Sequence, residues 1–159
     1  KEKQPDNLGE FTVPVGKIEV TKAGTDVTLV TYGSTWRIVA EAALELEKLG
    51  ISAEVIDVQS LIPFDISHEI VESVKKTSRL VVIDEDVKGG ASAFILQQVL
   101  EVQGAFRFLD SDPVTIAAED HRPAYASDGD YFSKPSLDDV VERVYNLFHE
   151  LNPAKFPEI

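Results

Sequence analysis

The chain has no cysteine and no methionine, and a single tryptophan among its 159 residues. Without cysteine, disulfides, thiolate catalysis and cysteine-ligated metal sites are excluded. The same absence fits a cytoplasmic setting. With no methionine even at position 1, the chain is expected to be a processed or excised piece of a larger product. No apolar run reaches the roughly eighteen residues that a membrane-crossing helix needs. The opening Lys1-Glu2-Lys3-Gln4-Pro5-Asp6 carries no apolar stretch behind its charges, so it does not read as a signal peptide. Positive charge is also scarce. Lys and Arg number 15 against 28 Asp and Glu, for a formal net charge of −13. A surface of that sign repels phosphate backbones, which argues against nucleic acid and anionic membranes as partners. It would attract a basic protein partner, or it confers solubility alone.

Hydrophobic residues make up 43% of the chain, enough for a real core. Residues 1–12 are polar, with Pro5 and Gly9, and read as the tail of a linker. Lys17–Thr21 alternates as a half-exposed strand does, and Val27–Tyr32 is β-branched and apolar. A helix follows, with Ser34 or Thr35 as N-cap and Trp36, Val39, Ala40, Ala43, Leu46 and Leu49 on its inner face. Gly50 suits the position after its last turn. Ala53–Val58 is the next strand, closed by Pro63. Asp65 caps a second helix carrying Ile66, Ile70, Val71 and Val74.

Arg79–Ile83 reads as a buried strand, Asp84-Glu85-Asp86 and Gly89-Gly90 as its exit loop, and Ala91–Gln103 as a third helix. Val114–Ala118 is the last strand. After a long loop over Ala118–Pro135, Ser136 and Asp139 form a capping box before a stripe of Leu137, Val140, Val141, Val144, Tyr145, Phe148 and Leu151. Strands alternating with helices imply a mostly parallel sheet covered on both faces. The first strand, joined by a short turn, is expected to pair antiparallel at an edge. Ligands of such sheets sit beyond the carboxyl ends of the strands. Here those ends carry Gly33-Ser34-Thr35, Gln59–Pro63 and Asp84–Gly90.

Pro14-Val15-Gly16-Lys17, then Asp26–Gly33, then Asp57–Asp65, then Asp84-Glu85-Asp86 with Gly89-Gly90 form an ordered series. It resembles the C-terminal domain of transketolase-like enzymes. The nearest resemblance is to the beta subunit of the thiamine-diphosphate-dependent first component of 2-oxo acid dehydrogenases, acting on pyruvate or branched-chain 2-oxo acids. The resemblance implies an α/β fold of three layers, α/β/α, around a five-stranded mixed sheet. It implies a domain over 13–151 between a linker tail at 1–12 and a C-terminal tail at 152–159.

It further implies that thiamine diphosphate and Mg belong to other domains of the full enzyme, and that this fragment binds no cofactor or metal and holds no catalytic residue. Asp128-Gly129-Asp130 has the wrong order for the family's diphosphate motif and reads as a loop turn. The implied partners are other domains or subunits of the same dehydrogenase and the dihydrolipoyl acyltransferase core, with beta–beta pairing. Gln59 stands where the family often has arginine, and Asp84 where it often has histidine.

The interface or exit-loop candidates are Pro63, Asp65, Asp84, Glu85, Gly89, Gly90, His121, Pro123 and Tyr125. His68 and His149 lie on polar helix sides and are expected to be solvated. Three adjacent carboxylates at 84–86 point in different directions and make a poor cation cage. Gly89-Gly90 lacks any surrounding dinucleotide or Walker pattern. No serine sits in a G-x-S-x-G elbow. A reading from another class is a stand-alone flavodoxin-like module for an anionic regulator. Within the family, transketolase and deoxyxylulose-phosphate synthase share this domain type.

Overall fold

In the computed structural model, residues 6–122, 125 and 127–158 are described. Five strands, β1 (Glu19–Lys22), β2 (Val27–Thr31), β3 (Ala53–Asp57), β4 (Leu80–Val87) and β5 (Val114–Ala118), form one sheet in the order β1-β3-β2-β4-β5. β1 runs antiparallel to β3, and every other pairing is parallel. The mixed five-stranded sheet and the antiparallel edge expected from the sequence are both present.

The three inner strands are apolar on both faces because both faces are covered. On one side Leu29, Val55, Val81 and Ile83 pack against α1 (Thr35–Lys48) and α5 (Leu137–Leu151). On the other, Val30, Ile56, Leu80 and Val82 pack against α2 (Glu69–Thr77), α3 (Ala91–Gln97) and the π-helical turn Gln98–Val102. Three hydroxyls enter this second layer together and satisfy one another. Thr28 on β2 is fully buried, and its hydroxyl lies 2.6 Å from that of Ser73 and 2.7 Å from that of Thr77.

Local chemistry fixes the element ends. Gly50 has φ +81°, and the Gly50 and Ile51 N–H groups donate to the Glu47 and Leu46 carbonyls at 3.1 and 2.9 Å. That is a Schellman closure, sealed by buried Ile51 and Leu46. Ser136 and Asp139 form the expected capping box on α5.

Several boundaries differ from the sequence reading. The second helix begins at Glu69, not at Asp65, and Ile66 is 58% exposed before it. Asp65 nevertheless caps α2 from a distance, as its two carboxylate oxygens accept the Glu69 and Ile70 N–H groups at 2.9 and 3.0 Å. The inner face of α1 uses Ala42 rather than Ala40, and Leu49 and Leu151 are exposed. The third helix changes to a π turn after Gln97. Part of the long 118–135 loop, including Asp128-Gly129-Asp130, is helical as α4 (Ser127–Ser133). His149 is not simply solvated, because its Nδ1 lies 2.8 Å from the Phe156 carbonyl oxygen. Phe156 is buried and packs edge-on against Tyr145 and Phe148, so the segment after α5 contributes to the core.

The turn between β1 and β2 is tied to β3. Gly24 N–H donates to Glu54 Oε2 at 3.2 Å, and Lys76 pairs with the same carboxylate. Burial alone would raise the Glu54 carboxyl. Hydrogen bonds from Lys76, Ser73 and Gly24 outweigh it and hold the group below its ordinary range. A Cβ on Gly24 would lie 2.2 Å from the carbonyl carbon of Ala53 and from the N of Glu54, both backbone atoms of β3.

Two outcomes follow. Gly24→Ala should cost roughly 3 kcal/mol or more, since backbone cannot yield as a side chain does. Gly33→Ala, with φ +62° but open space around it, should cost only ~1 kcal/mol. Thermal melts followed by circular dichroism compare the two, and a smaller loss for Gly24→Ala would contradict the contact. Glu54→Gln should lose about 1–3 kcal/mol at pH 7. A lowered folded-state value stabilises above the ordinary 4.5 and fades as pH falls through it. The gap between variant and parent should therefore close in acid, and a pH-independent gap would count against the ion pair.

Candidate functional site

The carboxyl ends of β2, β3 and β4 converge on the loops singled out by sequence, and the structure sorts the candidates into two braces. The first is the corner after β3. Gly16 N–H donates to Ser60 Oγ at 2.7 Å, and Ile66 N–H donates to the Gly16 carbonyl at 3.0 Å. The exposed Pro63, after a cis Ile62–Pro63 bond, lies against Gly16. Asp65 is 1% exposed, and its carbonyl accepts from Gln103 Nε2 at 3.2 Å. Phe64 meets Phe94 edge-to-face with ring centroids 5.8 Å apart. This corner therefore locks α2 and α3 to the end of β3.

The second brace is the end of β4. Asp84-Glu85-Asp86 is not a loop, since β4 continues through Val87, which aligns with Ala118 of β5 after a register shift. The polar run stays extended because its buried member is fully bonded. Asp84, with no exposed surface, accepts from Tyr32 OH at 2.8 Å, from Asp86 N–H at 3.1 Å and from Ser92 N–H at 2.9 Å. The last of these fastens the first turn of α3. Burial and the Asp84 bond push the Tyr32 phenol well above its ordinary value, so it remains the proton donor. Glu85 points outward, accepts from Ser34 Oγ at 2.7 Å and lies 3.6 Å from Lys134 Nζ.

The remaining candidates stand apart. Gly89 has φ +98° in an open turn, and Gly90 precedes α3 with its Cβ direction facing the Asp86 carboxylate. His121 is exposed, with Nε2 3.2 Å from Ser133 Oγ. Tyr125 is 84% exposed, and its hydroxyl accepts from Arg122 at 2.8 Å. Pro123 lies outside the described residues. Sequence reasoning missed Tyr32 and Gln103, whose partners lie 52 and 38 positions away, and it read Ser34 as a possible helix cap, whereas its hydroxyl makes no cap bond and donates to Glu85, 51 positions on. Only the hydroxyl of Tyr32 at a strand end could have hinted at its role.

Between the two braces, a cavity of about 420 Å³ is lined by Val13, Pro14, Val15, Gly33, Asp57, Gln59 and Ser60. Its charge is negative. Burial and the Glu19 carboxylate hold Asp57 above its ordinary range, against the opposing Gln59 N–H bond. Gln59, at φ +59°, donates its amide to Glu19 at 2.9 Å. Among the described residues, no three His, Cys, Asp or Glu side chains are placed to hold a metal ion. The arrangement offers neither a cationic nor a metal cradle for a diphosphate.

Residues 16–134 match the family described as transketolase, C-terminal domain. The pyruvate dehydrogenase E1 component subunit beta of Rhizobium meliloti (strain 1021) is 36% identical over 138 residues, which cover 86% of this chain and 29% of that protein. A mitochondrial 2-oxoisovalerate dehydrogenase subunit beta of Dictyostelium discoideum is 40% identical over 87 residues, covering 54% of this chain and 23% of its own length. Among solved structures, a split gene transketolase, described as an inactive beta4 tetramer, superposes with a TM-score of 0.69 at 29% identity. It is covered over 89% of this chain and 45% of that one. The chain thus spans less than half the length of these relatives.

The Asp84 brace yields a sharp expectation. Asp84→His would leave a neutral imidazole, with one acceptor, where three donors converge. The variant should lose roughly 2–4 kcal/mol, against ~1 kcal/mol for Tyr32→Phe. Urea unfolding reads both, and an Asp84→His protein as stable as its parent would remove the brace from the account.

Proposed function

The chain belongs to the transketolase C-terminal domain family, and from that premise we propose that it is the non-catalytic, assembly-building part of a 2-oxo acid dehydrogenase beta component. The whole enzyme would decarboxylate pyruvate or a branched-chain 2-oxo acid oxidatively and pass the acyl group to lipoamide. Thiamine diphosphate and Mg would supply the electron sink for decarboxylation from domains other than this one. This domain's partners would be the remaining domains or subunits of the dehydrogenase, the dihydrolipoyl acyltransferase core and a second beta copy. We place the assembly in the cytoplasm. Among the described residues, no helix is long and apolar enough to cross a membrane.

One observation carries the reading. The strand ends where α/β proteins keep their chemistry are closed here by the chain's own groups. Asp65 spends both carboxylate oxygens on α2, and Asp84 spends its own on Tyr32, Asp86 and α3. What remains open is a cavity walled by Asp57 and close to Glu19, which repels a diphosphate. The same charge disfavours the stand-alone module for an anionic regulator. Glu85, Gly89, His121 and Tyr125, at the exposed rim of these loops, are the residues through which this domain would meet its neighbours. The assembly role is also in keeping with the beta4 tetramer reported for the split gene transketolase.

Titration calorimetry on this chain tests the proposal. Thiamine diphosphate with Mg²⁺ should give no saturable heat up to millimolar concentration, and no 2-oxo acid should be consumed in a dye-reduction assay. Stoichiometric cofactor binding by the chain alone would overturn the division of labour.

A further inference from the structure

The two edges of the sheet are treated differently. β1 is protected in the usual manner: it is four residues long, carries Glu19 and Lys22, and has a register irregularity between Val20 and Lys22. β5, with the sequence Val-Thr-Ile-Ala-Ala, ends the sheet on the other side; its pairing with β4 also shifts register, between Ile83 and Val87, but it carries no charge. Among the described residues, the nearest backbone bond beyond its ladder is Glu119 N–H to the Ser133 carbonyl at 3.0 Å. Among the described residues, then, no further strand pairs with its outer row of peptide groups.

A groove follows that open edge. One cavity of about 550 Å³ borders Thr115, Ile116 and Ala117, and another of about 370 Å³ borders Val114 and Thr115. Thr115 and Arg143 line both, so the two are halves of one trough between β5 and the outer face of α5. At one end stand Tyr131 and Phe132, 56% and 72% exposed, in an edge-to-face pair with centroids 5.7 Å apart. Two exposed aromatic rings beside an unpaired strand are the features that strand addition uses: main-chain bonds for affinity and a side-chain pocket for choice of partner.

Charge selects the occupant. Asp112, Glu119, Asp138, Glu142 and Glu150 line the trough, in addition to Asp139, which is committed to the capping box. Against them stand Lys88, Lys134 and Arg143, and Lys134 lies beside Glu85. A second copy paired antiparallel along β5 would set Asp138 and Glu142 of one chain against Asp112 and Glu150 of the other. Each chain would also bring a net charge of −13. We propose that the β5 edge and its groove receive an extended, basic segment of a partner polypeptide as a sixth strand. Five residues at ~3.3 Å each span the edge, so a segment of about five to seven residues suffices. The inference rests on the edge and its charges, independently of the dehydrogenase reading.

The probe is a capped heptapeptide alternating lysine and valine, titrated into the ¹⁵N-labelled chain. Saturable amide shifts should appear at residues 114–118 and at Tyr131 and Phe132, together with slowed hydrogen exchange along β5. The same peptide with glutamate for lysine should not bind. Asp138→Lys with Glu142→Lys, both exposed positions, should weaken binding about tenfold, and Phe132→Ser should weaken it with the melting temperature unchanged. The proposal fails if the lysine peptide does not saturate at millimolar concentration. It also fails if its shifts fall elsewhere, or if the glutamate peptide binds equally well. A stable dimer of the chain that protects the β5 amides before any peptide is added would overturn it in favour of a second copy.

Discussion

The structure depends on one constraint: β2, β3 and β4 are buried on both faces. Once α1 and α5 cover one side and α2 and α3 the other, no face of the inner sheet remains for a ligand or a partner. Everything else must happen at strand ends or at the two edges. Burial on both faces also makes the strand ends costly places for polar groups, since a carboxylate there loses water and must find donors. Asp65 and Asp84 are the result. Each is buried, each accepts backbone N–H groups from a neighbouring helix, and each thereby fixes where that helix starts.

This changes what the carboxyl edge can do. In many α/β proteins helix N-termini at this edge are left free to receive anions. Here the chain supplies its own anions. The first turn of α2 is capped by Asp65 and that of α3 is tied to Asp84, so neither helix presents free amides to a phosphate at that point. Tyr32 completes the second brace as a donor that burial keeps protonated. The closure is intrinsic to the domain, because every group in it belongs to this chain.

Much of the frame was legible in the sequence, and the reasons are local. Val27–Thr31, Ala53–Asp57 and Val114–Ala118 are short β-branched or apolar runs set off by turn residues. The Ser136–Asp139 box and Gly50 announce helix ends within four or five positions. What escaped was non-local or contrary to propensity. Asp84-Glu85-Asp86 reads as loop because carboxylates are poor strand formers. It stays in β4 because donors from Tyr32, 52 positions away, and from Ser92 in the next helix satisfy Asp84. The helix at Ser127–Ser133 contains Gly129 and lies in a polar stretch, so periodicity gave no sign of it. Phe156 looked like part of a tail, and its burial against Tyr145 and Phe148 depends on a chain reversal after Asn152 that no periodic pattern encodes. Of the site, the ordered loop series was visible, whereas the cross-links that close it were not.

Acidity then acquires a location. A net charge of −13 spread evenly would only keep the molecule soluble. At the carboxyl edge Asp57 walls a cavity whose Gln59 is bonded to Glu19, and along β5 carboxylates outnumber bases around an uncharged strand. The first concentration discourages a diphosphate from that cavity. The second sits beside the one edge strand that carries no charged residue. An uncharged open edge is an aggregation hazard unless something limits who may pair with it. Carboxylates flanking β5 impose that limit: they repel a second acidic copy and admit a basic strand. The same property that argues against nucleic acid as a partner thus becomes, at this edge, a rule of selection among proteins.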